Sequence, residues 1–137
     1  MPRLRRPARV LAVFLGLIPV GLLVVTLFLS PDPSGHGTHR QLGLPPCTLI
    51  ALTGTRCPAC GMTTSWTMFT HGHWPSSFRA NSGGFLLAFV AIWFTTVSFG
   101  VGFRGHAPTY RQQTRFAFAL IAVLVVTLAD WCYRLLA

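Results

Sequence analysis

The stretch VLAVFLGLIPVGLLVVTLFL, Val10 to Leu29, decides the fold. It carries no charged residue. About 20 apolar residues in a helix cross a hydrocarbon core of about 30 Å, and this run meets that length. Downstream, Phe85 to Phe103 is also free of charge. A shorter run, Phe116 to Ala129, is extended past Asp130 by Trp131, Tyr133, Leu135 and Leu136. The reading is an all-α membrane protein, a single domain over 1–137. Its spans are expected near 10–29, 85–103 and 116–136, with a cysteine-containing loop over 30–84. Composition agrees: the 137 residues are 52% hydrophobic and 9% charged, against roughly 25% charged in a soluble domain.

The arginines Arg3, Arg5, Arg6 and Arg9 precede the first run. They resemble the basic start of a secretory signal, but the run is longer than a signal's apolar region. Its exit, Leu29-Ser-Pro-Asp-Pro, has no small-x-small cleavage pattern, so an uncleaved anchor is expected. Pro19 falls mid-run, where a neighbouring helix can satisfy the freed carbonyl. Lys and Arg number 11 against 2 acids, for a net charge of +9, and every basic residue is Arg. These arginines flank spans and do not interleave with aromatics, which argues against nucleic acid. Their density is highest in the N-terminal tail and at Arg104, Arg111 and Arg115. The positive-inside rule therefore puts the N-terminus in the cytoplasm and residues 30–83 outside.

Within that outer segment, Ser30 to His39 is rich in Pro and Gly and reads as irregular loop. Leu42 to Pro46 reads as a turn. Cys47-Thr-Leu-Ile-Ala-Leu-Thr is a short apolar piece closed by Gly54. A helix of about three turns is expected from Ala59. It places Met62, Trp66 and Phe69 on an apolar face, opposite Thr63, Thr64, Ser65, Thr67 and Thr70. Gly72 is placed as its left-handed cap. Trp74 to Asn81 reads as another helical piece, with Ser82-Gly83-Gly84 breaking the chain before the second span.

Several of these residues form a family pattern. They are Thr53-Gly54, the core Cys57-Pro58-x-Cys60-Gly61-x-Thr63, His71-Gly72-x-Trp74, Asn81, and Trp131, Tyr133 and Arg134 near the end. Together, over residues 42 to 134, they resemble the domain of unknown function 2752 family, a group of small bacterial membrane proteins. Many relatives carry Arg where this chain has Thr64, and Pro where it has Ser82. The resemblance implies a membrane location, with the bacterial inner membrane as the setting, and the position of a site. It implies no activity.

Cys47, Cys57 and Cys60 share the outer segment, and Cys132 lies in the third span, where a small buried apolar role is expected. Three chemistries fit the cysteine segment. As a redox pair, Cys57 would sit before a helix, its thiolate favoured by the dipole, with Cys60 resolving. As a zinc site, Cys57 and Cys60 would form a knuckle completed by Cys47 and by His71 or His73. As a staple, Cys47 would bond to Cys57 or Cys60. His36 and His39 lie upstream. Asp130 is one of two acids, and Arg134 follows it by one helical turn, which favours a local ion pair.

No catalytic set is assigned. No nucleophile–base–orienter arrangement or phosphate loop is visible, and the acid-poor chain offers no paired carboxylates for hydrolysis. The leading expectation is a non-enzymatic membrane component whose cysteine hairpin is structural or makes an interaction. Its partners would be the lipid bilayer and a membrane protein or a second copy. A membrane thiol–disulfide protein is the alternative, and a zinc-binding hairpin the second alternative.

Overall fold

The computed structural model describes residues 3–136. The extreme ends of the expected 1–137 domain lie outside the described residues. The chain forms α1 (Arg6–Leu27), a 3-10 turn (Thr38–Leu42), α2 (Thr48–Thr53), α3 (Met62–Thr70), α4 (Trp74–Ala80), α5 (Ser82–Arg104) and α6 (Tyr110–Leu136). No strand occurs among the described residues, only an isolated bridge between Arg3 and His106. Helices α1, α5 and α6 are long and apolar enough to cross a membrane. The protein is an all-α membrane protein.

Helix α1 packs most extensively against α5, and small residues let the two backbones approach. A Cβ on Gly16 would lie 3.0 Å from Ser98 Cβ. A Cβ on Gly102 would collide with Val13 Cγ2. Pro19 lies inside α1 and removes the donor that would serve the Leu15 carbonyl. The Thr95 hydroxyl of α5 donates to the adjacent carbonyl, Gly16 O, at 3.3 Å. At the other end, Arg9 Nε and Nη2 donate to Gly102 O and Phe103 O, each at 2.9 Å. A guanidinium there serves the orphan carbonyls of α5.

Ser82, Gly83 and Gly84 do not break the chain; they are the first turn of α5. The break is one residue, Asn81, extended at φ −162° and ψ 110°. Its Oδ1 accepts from Gly84 N–H at 2.7 Å, an N-cap bond. The glycines are there for packing. A Cβ on Gly84 would press on Met62 and Ser65, and one on Gly83 would collide with Thr127 of α6.

The short helices sit on the bundle at the α1 exit and α5 entrance. Helix α3 begins at Met62, after the Cys57–Gly61 turn, not at Ala59. Its hydroxyl face points inward: Thr64, Ser65 and Thr67 are fully buried, while Met62, Trp66 and Phe69 are half-buried. Each buried hydroxyl has a partner. Ser65 Oγ lies 3.0 Å from Ser77 Oγ and donates to Asn81 O at 3.1 Å. Thr64 Oγ1 lies 2.8 Å from Thr38 Oγ1. Among the described residues no buried side-chain polar atom lacks a partner. The helix ends in a Schellman motif, with Gly72 N–H to Phe69 O at 3.1 Å and His73 N–H to Met68 O at 2.9 Å.

Helix α6 packs along α5 and presents its other faces outward. Cys132 is therefore exposed, not buried. It lies on an outward side of α6, away from the α5 contact.

Candidate functional site

The site is a turn held from three sides. Cys60 N–H donates to Cys57 O at 3.0 Å and Met62 N–H to Ala59 O at 3.1 Å, curling the chain through Pro58. Gly61 follows in the left-handed region at φ 87°, where its missing Cβ would lie 2.6 Å from Ala80 O and 2.7 Å from Gly35 O. No other residue fits there without moving backbone. From behind, Asn81 Nδ2 donates to Pro58 O at 3.0 Å and to Cys60 O at 3.2 Å. From the side, Trp131 Nε1 of α6 donates to Arg56 O at 2.7 Å. The Arg56 guanidinium in turn donates to Ser34 O at 3.1 Å, tying the turn to the loop after α1.

This folding gathers three sulfurs. Cys57 Sγ and Cys60 Sγ are 2.9 Å apart. With Cys47 Sγ they form a cluster whose atoms all lie within 4.8 Å of one another. All are free thiols; Cys60 is buried and the other two are half-buried. Cys57 N–H donates to Cys60 Sγ at 3.3 Å. The backbone N–H of Ile50, and next the Cys60 thiol, hold the Cys47 thiol down to about 7. Burial, and next the neighbouring Cys57 and Cys47 thiols, push Cys60 up to about 12. Cys47 is therefore the readily ionised member, and Cys60 the one that stays protonated while no cation is near.

The sulfurs line a cavity of about 440 Å³, shared with Asp32, His36, His39 and Arg40. The side-chain hydroxyl and backbone N–H of Ser34 hold the Asp32 carboxyl below the usual carboxylate range. Asp32 N–H donates to the buried Thr38 hydroxyl at 3.0 Å. His36 Nδ1 lies 2.9 Å from Ser34 O, and His39 Nε2 lies 3.2 Å from Pro45 O.

Cys47, Cys57 and Cys60 are thus brought together. His71 and His73 are not part of the sulfur cluster. His71 Nδ1 donates to Thr67 O at 2.7 Å, and both histidines belong to the α3–α4 corner. The three sulfurs gather without either of the histidines expected to complete the set. The helix-start argument for Cys57 is corrected, because the N-cap of α3 is Gly61 and Cys57 lies a full turn before it. Asp130 and Arg134 form an ion pair at 2.7 Å. Arg134 also donates to Ala80 O at 2.9 Å and Arg79 O at 3.1 Å, the orphan carbonyls of α4. Asp130 Oδ2 faces Ser82 N–H at 3.4 Å. This pair therefore braces the α4–α5 corner that carries Asn81.

Sequence reasoning passed over Asp32 and Arg40, which line the cavity, and Thr38, whose hydroxyl accepts from Asp32 N–H. Their only signal was two histidines set among glycines in a breaker-rich loop.

Residues 47–95 match the family model described as protein of unknown function, DUF2752. The match runs from Cys47 through the cysteine turn and the short helices into α5. It supports the family resemblance over that stretch; Trp131, Tyr133 and Arg134 lie beyond it. No curated protein and no solved structure matches the chain.

Proposed function

We propose that this chain, a DUF2752-family membrane protein by its match over residues 47–95, is a non-enzymatic component that holds a soft metal ion. The ligands are the thiolates of Cys47, Cys57 and Cys60, in one membrane domain spanning 1–137. The single observation behind this reading is the sulfur cluster, every pair within 4.8 Å. Tetrahedral zinc, with Zn–S of about 2.3 Å, holds sulfurs about 3.8 Å apart. The Cys57–Cys60 pair, at 2.9 Å, opens to reach that. Thiolates select zinc and Cu(I) over hard cations. Three protein sulfurs leave a coordination position facing the cavity. The hairpin needs no covalent staple, since Asn81, Trp131 and Gly61 already hold it. The arginine distribution supports a cytoplasmic N-terminus and a cysteine segment outside the bacterial inner membrane.

A second reading is favoured by one distance, the 2.9 Å between Cys57 and Cys60. In that reading the two thiols close to a disulfide. They give up two protons and two electrons to a partner disulfide, which becomes two thiols.

Titration of reduced, purified protein with Co(II), then displacement by zinc, separates the two. The metal reading expects sulfur-to-cobalt charge-transfer absorption at one equivalent, lost in Cys47→Ser, Cys57→Ser or Cys60→Ser. Absence of those bands, with a Cys57–Cys60 bond in peptide maps of unreduced protein, transfers the assignment to the redox reading.

A further inference from the structure

A second cavity lies beside the cysteine cavity and shares a wall with it. It is an apolar groove of about 370 Å³, lined by Leu22 and Val25 of α1, Leu42 and Leu44 of the outer loop, Trp66 of α3 and Leu87 of α5. Thr63 lines both spaces. Each volume falls in the range of about 300–1,000 Å³ typical of ligand pockets.

We infer that the two spaces form one bipartite site for a single anionic bilayer lipid, its acyl chain in the groove and its headgroup over the cysteine cavity. The position of the groove identifies its occupant. Leu22, Val25 and Leu87 belong to helices able to cross a membrane, so bilayer lipid is the immediate neighbour. Leu42 and Leu44 lie outside those helices, yet are 48% and 52% exposed. They carry the apolar lining of the groove past the ends of the long helices. The polar half sets the sign of the headgroup. Arg40 lines it with His36 and His39, and the Arg56 guanidinium reaches the rim at Ser34 O. The acid lining it, Asp32, accepts from the Ser34 hydroxyl and N–H and is outnumbered by Arg40 and, at the rim, Arg56. Guanidinium groups favour phosphate through paired, charge-assisted donors. The inference stands apart from metal binding, since the two spaces adjoin whether or not an ion is held.

The test uses the wild-type full chain in nanodiscs of phosphatidylcholine and phosphatidylglycerol. Trace phosphatidylglycerol carries a photoreactive diazirine on its acyl chain, and adducts are mapped by peptide. Adducts should concentrate on Leu22, Leu44, Met62 and Trp66, above the exposed α6 residues Leu124 and Val125. A phosphatidylcholine analogue, or Arg40→Gln with the glycerol analogue, should lower groove labelling about tenfold, the loss of one charge-assisted contact. Even labelling of groove and α6 would overturn the site. Equal labelling by both analogues, or no change in Arg40→Gln, would overturn the headgroup placement. Cobalt titration of the same samples reports on the metal reading separately.

Discussion

Asn81 does at one position what sequence reading divided among several. Its carbonyl oxygen caps α5 and its amide nitrogen holds two carbonyls of the cysteine turn. The side chain is 1% exposed, so those bonds have no solvent substitute. Asn81→Ala should cost about 2–3 kcal/mol, for the lost cap and the unpaired buried carbonyls. Asn81→Asp keeps the cap acceptor and loses the amide donors. In thermal unfolding Asp should retain part of the stability, yet free the turn as much as Ala does, read as faster alkylation of Cys60. Equal stability of Ala and wild type would refute this role. Thiol titration belongs to the same scale. In reduced, metal-free protein the reactive species is the thiolate, and Cys47 has its value lowered to about 7. Its iodoacetamide rate should therefore rise through about pH 7, below the usual thiol value of about 8.5. Cys60, raised to about 12, should stay slow throughout that range. A single shared profile for both would contradict the asymmetry. Gly61 was legible only as part of the Cys-Pro-x-Cys-Gly pattern, since the helix was expected from Ala59 and the left-handed turn replaces its start. The burial of Thr64, Ser65 and Thr67 was not, because a hydroxyl stripe reads as solvent-facing until its partners on distant elements are known.

The long helices were legible because about 20 uncharged residues have one physical outcome in lipid. Their starts were less so. Charge defined the expected limits, whereas caps and packing define the real ones, and α5 opens at Ser82 through glycines that read as a break. The same close packing predicts a compensating pair. Gly102→Ala in α5 puts a methyl on Val13 Cγ2 of α1 and should destabilise by about 1–3 kcal/mol. Val13→Ala on that background removes the colliding group and should recover most of the loss. A double variant no better than Gly102→Ala would show that the two helices do not meet there. The Asp130–Arg134 pair acts between elements as well as within α6. Arg134→Gln gives up the ion pair and two α4 carbonyl contacts, whereas Asp130→Asn gives up the ion pair and keeps those contacts. The Arg134 variant should therefore unfold at the lower temperature.

For the whole molecule, the arginines predict the sidedness of the chain. Four precede α1, Arg3, Arg5, Arg6 and Arg9, and three more, Arg104, Arg111 and Arg115, lie around the α5–α6 connection. A membrane-impermeant maleimide added to intact, reduced cells should label Cys47 or Cys57, and labelling seen only after lysis would reverse the orientation. The segment between α1 and α5 carries the sulfur cluster and one wall of the apolar groove, on a corner braced by all three long helices. Sequence reading set Cys47 with Cys57 and Cys60 as a zinc ligand or staple partner, but the folding that gathers them, through the α2 turn and the Asn81 anchor, was not legible. The most direct measurement is X-ray absorption at the zinc edge on zinc-loaded, full-length protein. The account predicts three sulfur scatterers at about 2.3 Å and one lighter atom, falling to two sulfurs in Cys47→Ser. Two sulfurs or fewer in the wild type would contradict it.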